Sequence, residues 1–190
     1  MRRFFDALLG RNNPEPPKSE RIFAMATAHV TLQTSLGLEP DRKAAITFRP
    51  VSSGYFEQAA EELNQLLELS TRHTGASFHT TTDNYGFDWI VLDDSDFEDM
   101  VATIHVVSTT LMEHQFGDRL LAALFRFRDQ NSRGVYWFYN FRRGMFYPFI
   151  PTGKQERDTN EEMRLAILMD GEMPVDQDIE RWYPMWEIPF

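Results

Sequence analysis

The sequence predicts an α+β protein built on one antiparallel sheet with helices gathered on one face. Three observations carry that expectation. Runs with strand and helix periodicity follow one another in the order β-α-β-β-α-β-β. Short polar turns such as Asp83-Asn84 and Asn131-Ser132-Arg133-Gly134 separate the neighbouring strand runs. The first six elements also match the split βαβ order of ferredoxin-like sandwiches. A secretion-chaperone-like α+β arrangement, which also uses β-β-α-β-β runs, is the alternative. A chain of 190 residues suits one domain. Residues 18–190 are assigned to it, with residues 1–17 as a short appendage.

In that appendage Phe4, Phe5, Leu8 and Leu9 fall at helical spacing and Gly10 stops the pattern. Pro14, Pro16 and Pro17 forbid continuous helix and read as a hinge. A helix this short is marginal alone, so its apolar face needs a bed: the domain, a partner or a membrane surface. Ser19–Leu38 reads two ways: Ile22, Phe23, Ala26 and Val30 suit a helical face with Gly37 as C-cap, while Ala28, Val30, Leu32 and Thr34 alternate as a strand would, and helix is favoured. Lys43–Pro50 is a short strand ended by proline. Gly54–Ser70 is a helix with Phe56, Ala59, Ala60, Leu63, Leu66 and Leu67 on one face. Ser77–Thr82 and Tyr85–Asp93 read as a hairpin, the second strand carrying apolar side chains on both faces. Ser95 with Glu98 resembles a capping box and opens a helix whose stripe runs from Phe97 to Leu111. Leu120–Arg128, Val135–Phe141 and Met145–Ile150 are strands. A helix from about Asp158 to Met169 follows, with Thr159 and Glu162 as its capping box, and then an acidic, tryptophan-bearing tail.

Composition excludes several functions. Zero cysteines remove disulfides, thiol catalysis and iron–sulfur sites. Acidic residues outnumber basic ones 29 to 19, for a formal charge of −10, which argues against nucleic acid as a partner. The acidity is read as concentrated in helix starts and the tail, with arginines flanking the most aromatic segment. No apolar run approaches the roughly 20 residues of a membrane span. Met1-Arg2-Arg3-Phe4-Phe5-Asp6 lacks the features of a secretory signal, so a cytoplasmic setting is expected. The Asp93-Asp94-Ser95-Asp96 cluster lacks the glycine and distal glutamate of a calcium loop and is assigned to helix capping. The five histidines form no helical ligand pair, and no nucleophile elbow or phosphate loop occurs. No metal, cofactor or catalytic residue is therefore expected.

The most unusual segment is Tyr136–Phe149, with eight aromatics in 14 residues and two arginines at its turn. As a surface it would serve protein binding, since tyrosine, tryptophan and arginine dominate hot spots. As a pocket it would suit a small ligand, with Arg142 and Arg143 holding an anionic group. As a core it would simply fill the interior. The tail adds Trp182 and Trp186 to either a strap over the sheet or a segment for which partners compete. Its acids Asp176, Asp178 and Glu180 read as a solvated face.

Several segments in fixed order resemble one family. They are Phe5-Asp6-Ala7-Leu8-Leu9-Gly10-Arg11, Thr31-Leu32-Gln33 with Gly37, and Asp83-Asn84-Tyr85-Gly86-Phe87-Asp88-Trp89. Arg143-Gly144-Met145-Phe146-Tyr147-Pro148-Phe149-Ile150-Pro151, Arg157-Asp158, Met173-Pro174-Val175, and Arg181-Trp182 with Trp186 complete the series. End to end, the chain resembles the PspA-associated family PspAB, found beside a PspA-type phage-shock protein in bacteria and archaea. Phe141-Arg142 and Thr159 are modest departures from the family pattern. The resemblance implies a cytoplasmic, non-catalytic accessory of a membrane-stress response. Its partner would be a PspA-type coiled-coil protein or another stress-response component. The residues expected to meet that partner are Tyr136, Phe138, Arg142, Arg143, Phe146, Tyr147, Trp182 and Trp186. A peripheral membrane contact would use Phe4, Phe5, Leu8 and Leu9. A ligand sensor or an enzyme with an Arg/aromatic pocket is the alternative.

Overall fold

The computed structural model describes residues 18–72 and 75–190. The expected N-terminal helix and hinge, with the Phe4, Phe5, Leu8 and Leu9 face, lie outside the described residues. The fold is α+β, and the described residues form six strands in one antiparallel sheet and four α-helices. After a 3₁₀ turn at Ser19–Phe23 come α1 (Ala24–Leu36), β1 (Glu39–Phe48) and α2 (Gly54–Thr71). They are followed by β2 (Ser77–Thr82), β3 (Asp88–Asp93) and α3 (Phe97–Glu113). Next come β4 (Leu120–Arg128), β5 (Gly134–Asn140) and β6 (Met145–Phe149). Two short strands, β7 (Pro151–Gly153) and β8 (Glu156–Arg157), form a separate ribbon before α4 (Thr159–Met169).

The sheet runs β2-β3-β1-β4-β5-β6. β1 lies between β3 and β4 and is antiparallel to both, which is the split βαβ interleaving. β5 and β6 extend that four-stranded unit by a hairpin. The register sorts the side chains into two faces, because neighbours along a strand point opposite ways. Ile46, Ala123, Tyr139 and Phe146 align across one face, and Ala45, Leu124, Phe138 and Tyr147 across the other. The first face meets the helices: the Phe97 ring of α3 packs on Phe125 and Phe127, and Phe56 of α2 packs on Phe48. α3 is central in that layer, touching α1, α2, β1 and β4. α4 packs instead against β6.

Helix ends follow backbone hydrogen-bonding needs. Gly37 closes α1 in the left-handed region at φ 65°, its N–H donating to Gln33. Ser53 caps α2 by accepting from the Phe56 N–H. Two expected caps shift register. Asp96, not Ser95, caps α3 and accepts from Glu98 and Asp99, while Asp94 accepts from the Asp96 N–H. Asp158, not Thr159, caps α4 by accepting from the Glu161 N–H, which frees Glu162 for another task. β1 also starts earlier than expected, at Glu39, and a register shift between Pro40 and Ala44 accommodates the proline.

Candidate functional site

The aromatic hairpin owes its geometry to its turn. Asn140 accepts at its carbonyl from the Arg143 and Gly144 N–H groups, and its side chain accepts from the Arg143 N–H. Gly144 is left-handed at φ 66°, and a Cβ there would stand 2.7 Å from the Lys18 Cβ. Glycine is therefore demanded twice at this position, by conformation and by close approach.

Past the turn, the aromatics form two ladders. On the helix side Tyr139 packs on Phe146 and Phe141, with ring centroids 4.7 and 5.3 Å apart. The Tyr139 hydroxyl donates to the Lys18 carbonyl, which ties the start of the domain to the hairpin. On the outer side Phe138 stacks on Tyr147 at 5.3 Å and meets Phe149 edge-on at 5.9 Å. Tyr136 completes this ladder beside Phe149. Burial pushes the phenols of Tyr139 and Tyr147 up, so both remain neutral donors.

The tail covers the outer ladder. Pro174–Asp176 adds to the free side of β6: the Phe146 N–H donates to Pro174 and the Asp176 N–H to Phe146, each at 2.8 Å. Trp182 is buried, and its indole N–H donates to the Asp176 carbonyl. The chain then runs over the outer face as a strap. The Tyr147 hydroxyl donates to the Tyr183 carbonyl, Trp186 packs edge-on against Phe149, and Phe190 lies against Tyr136. The Asn84 amide donates to Glu187, fastening the strap to the β2–β3 turn. An open groove of about 700 Å³ remains between the strap and the β7–β8 ribbon, walled by Tyr136, Phe149, Lys154, Trp186 and Phe190.

Two ion pairs lock the arrangement. Arg143 meets Asp176 at 2.7 Å, and Asp176 is buried, so it does not belong to the solvated face expected for the tail acids. Arg157 donates to both oxygens of Glu162 at 2.7 and 3.0 Å and to the Trp182 carbonyl at 2.8 Å, with its guanidinium 5.0 Å from the Phe149 ring centroid. Glu162 is wholly buried and also accepts from the Ile150 N–H at 2.7 Å. Burial pushes its carboxyl up against the opposing pull of the Ile150 N–H and Arg157.

The structure thus draws the expected partner-binding residues into one construction with unequal exposure. Tyr136, Phe138, Phe146, Tyr147 and Trp182 are buried. Arg143 is half-buried on Asp176, whereas Arg142 is exposed and Trp186 is 36% exposed. The arginines around the hairpin are spread out. Arg126 and Arg128 share Asp41 at one end of β5, and Arg143 holds Asp176 at the other. Arg157, Glu162 and Asp176 were missed as site residues. Arg157-Asp158 stood in the family-like series, but nothing in its spacing pointed to a buried partner five residues on.

A family model described as PspA associated protein B matches residues 2–190. The chain belongs to the PspAB family. Its segment Arg143–Pro151 is accounted for almost residue by residue: Arg143 holds Asp176, Gly144 admits Lys18, Phe146 and Phe149 fill the two faces, Tyr147 holds the strap, and the Ile150 N–H engages Glu162. No curated protein and no solved structure matches the chain. The family description names an association with PspA, consistent with an accessory role. No described helix is long and apolar enough to cross a membrane.

Proposed function

We propose that this PspAB protein is a non-catalytic adaptor that binds a PspA-type protein through the outer surface of its C-terminal strap. One observation carries the reading. The strap lies on an aromatic bed yet turns large side chains outward, with Tyr183 61%, Ile179 44% and Trp186 36% exposed. Hydrophobic anchors held in place by packed backbone lose little freedom on binding, which favours affinity. Arg142, exposed at the turn, adds a cationic group, whereas Arg181 at the start of the strap is paired with Asp178 at 2.6 Å. In this reading Arg142 and Trp186 touch the partner. Tyr136, Phe138, Arg143, Phe146, Tyr147 and Trp182 hold the surface in shape.

The test is binding of the PspA of the same organism by wild-type protein and by Tyr183→Ala/Trp186→Ala with Arg142→Glu. Tyr183 holds the sheet through its carbonyl, so its substitution leaves that hydrogen bond in place. Affinity is expected to fall at least tenfold. Because Trp186 also packs on Phe149, Tyr183→Ala with Arg142→Glu is measured beside it. That variant should weaken binding several-fold with thermal stability nearly unchanged, and unchanged affinity in both variants removes the reading. The same reading keeps the protein cytoplasmic, with the Phe4, Phe5, Leu8 and Leu9 face as its contact with the inner membrane surface. Flotation with anionic liposomes checks this, and Phe4→Ser/Leu8→Ser should abolish any co-flotation.

A further inference from the structure

The molecule has a second unpartnered surface, at the opposite edge of the sheet from the strap's anchor. Residues 54–99 contain eleven Asp and Glu and a single Arg, and the rest of the chain holds eighteen of each sign. Residues 54–99, which span α2, β2, β3 and the start of α3, thus carry a net −10 by themselves; residues 158–190, with nine acids and two arginines, form a second acidic region. The elements of residues 54–99 are neighbours: β2 pairs with β3, and α2 packs on β2 and α3. Together they form one acidic edge of the protein.

That edge ends in β2. Among the described residues nothing pairs with its outer side. In an antiparallel strand, alternate residues direct N–H and C=O groups away from their only neighbour, and proteins ordinarily guard such edges with charge, proline or a bulge. Ser77-Phe78-His79-Thr80-Thr81-Thr82 contains none of these, and its register with β3 is unbroken. The other edge strand, β6, carries Pro148 and is covered by Pro174–Asp176. Among the described residues, one edge is closed by the chain itself and the other is open.

Beside the first residues of β2, a cavity of about 260 Å³ opens between α2 and α3. Leu66, Leu67, Met100, Ala102 and Val106 line it, and Asp99 stands at its rim. Asp93 is paired with Arg42 and Lys43. Among the described residues Asp94, Asp96, Glu98 and Asp99 have no cationic partner. Partial desolvation, then the charges of Asp96, Asp94 and Glu98, hold the Asp99 carboxyl above its ordinary value. A second copy of the chain on this edge would set one acidic surface against another, which costs association energy.

We propose that β2 is a docking edge for an extended, basic-and-apolar segment of a partner protein. The segment adds to the sheet as a further strand, sets lysines or arginines against the acidic rim, and seats one apolar side chain between α2 and α3. This surface lies at the opposite edge from the strap's anchor on β6 and meets the strap only near the Asn84–Glu187 contact at the β2–β3 turn.

The test uses the full-length, isotope-labelled protein and a capped decapeptide of alternating lysine and valine, followed by amide chemical shifts, amide exchange and fluorescence anisotropy. Shifts and slowed exchange are expected at alternate residues of 77–82, with affinity falling about tenfold or more between 50 and 200 mM salt. Thr80→Lys/Thr82→Lys should weaken binding at least tenfold, and Glu98→Gln/Asp99→Asn several-fold. Tyr183→Ala/Trp186→Ala should leave it unchanged, which separates this surface from the adaptor reading. Absence of binding at millimolar peptide, perturbation centred elsewhere, or indifference to the threonine substitutions overturns the proposal. So does protection of the outward β2 amides in the free protein, which would show residues 1–17 or a second copy already on the edge.

Discussion

The buried pair of Arg157 and Glu162 offers the sharpest test of how the strap is held. Arg157→Met removes the guanidinium and keeps much of the apolar stem beside Phe149. It leaves the Glu162 carboxylate, fully excluded from solvent, with the Ile150 N–H as its remaining donor. It also strips the Trp182 carbonyl of its donor. Orphaning a buried charge costs about 3–5 kcal/mol, a large part of a typical stability of roughly 5–15 kcal/mol. For a chain of this size that is a Tm lower by about 6–20 °C. Glu162 would relieve part of the cost by taking up a proton, so its carboxyl moves further up in the variant. The native variant then holds more protons than its unfolded chain above about pH 4.5, so its stability falls as pH rises there and the deficit against wild type widens. Glu162→Gln leaves an acceptor for Ile150 but no charge. Added to Arg157→Met, it should therefore recover about 1–3 kcal/mol, and the double variant should be more stable than the single one. Urea unfolding followed by tryptophan fluorescence at pH 5 and pH 7.5 measures all four forms. A double variant destabilised by the sum of the singles, or an Arg157→Met deficit that shrinks with rising pH, would refute the reasoning.

Three shorter predictions bear on other joints. Gly144→Ala should cost about 1–3 kcal/mol, because a left-handed backbone and the 2.7 Å approach to Lys18 Cβ both penalise a methyl; chemical denaturation reads it directly. Asp96→Ala should cost about 1 kcal/mol through loss of the α3 cap, whereas Ser95→Ala should change stability by less than about 0.5 kcal/mol. Asp129 and Asp158 both engage Arg133. Against partial burial, the Arg133 and Asn131 N–H groups and the Arg133 side chain pull the Asp129 carboxyl down. The Glu161 N–H and then Arg133 pull the Asp158 carboxyl down. Their stabilisation is thus present above about pH 4 and lost as pH falls through the depressed native values. Arg133→Gln should make Tm fall less steeply between about pH 4 and pH 2.

Much of the fold was legible because its signals are local. The helical stripe of Phe97, Met100, Val101 and Ile104, the glycine at 37 and the alternation in Leu120–Arg128 each specify an element without reference to the rest. The cap positions were less legible because Asp94, Ser95 and Asp96 can all accept a hydrogen bond, and the choice among them rests on backbone angles. The site was harder still. Alternation in Val135–Phe141 placed aromatics on both faces, but what covers the second face is a strap with no periodicity, pinned by residues 36 to 54 positions away. Asp176 looked solvated for the same reason: its cation, Arg143, lies 33 residues upstream.

The segment that most clearly marks the family is thereby given a folding task. Arg143, Gly144, Tyr147 and Ile150 each spend their polar or conformational capacity inside the chain, on Asp176, Lys18, Tyr183 and Glu162. The Tyr147 hydroxyl cannot also bind a partner without first surrendering the Tyr183 carbonyl. In the two proposals above, recognition falls to surfaces outside that segment: the exposed side chains of the strap and the acidic β2 edge. The two differ in form, with exposed Tyr183, Ile179 and Trp186 on one and a strand edge among carboxylates on the other. Independent loss of the two bindings in separate variants would establish that they are separate sites.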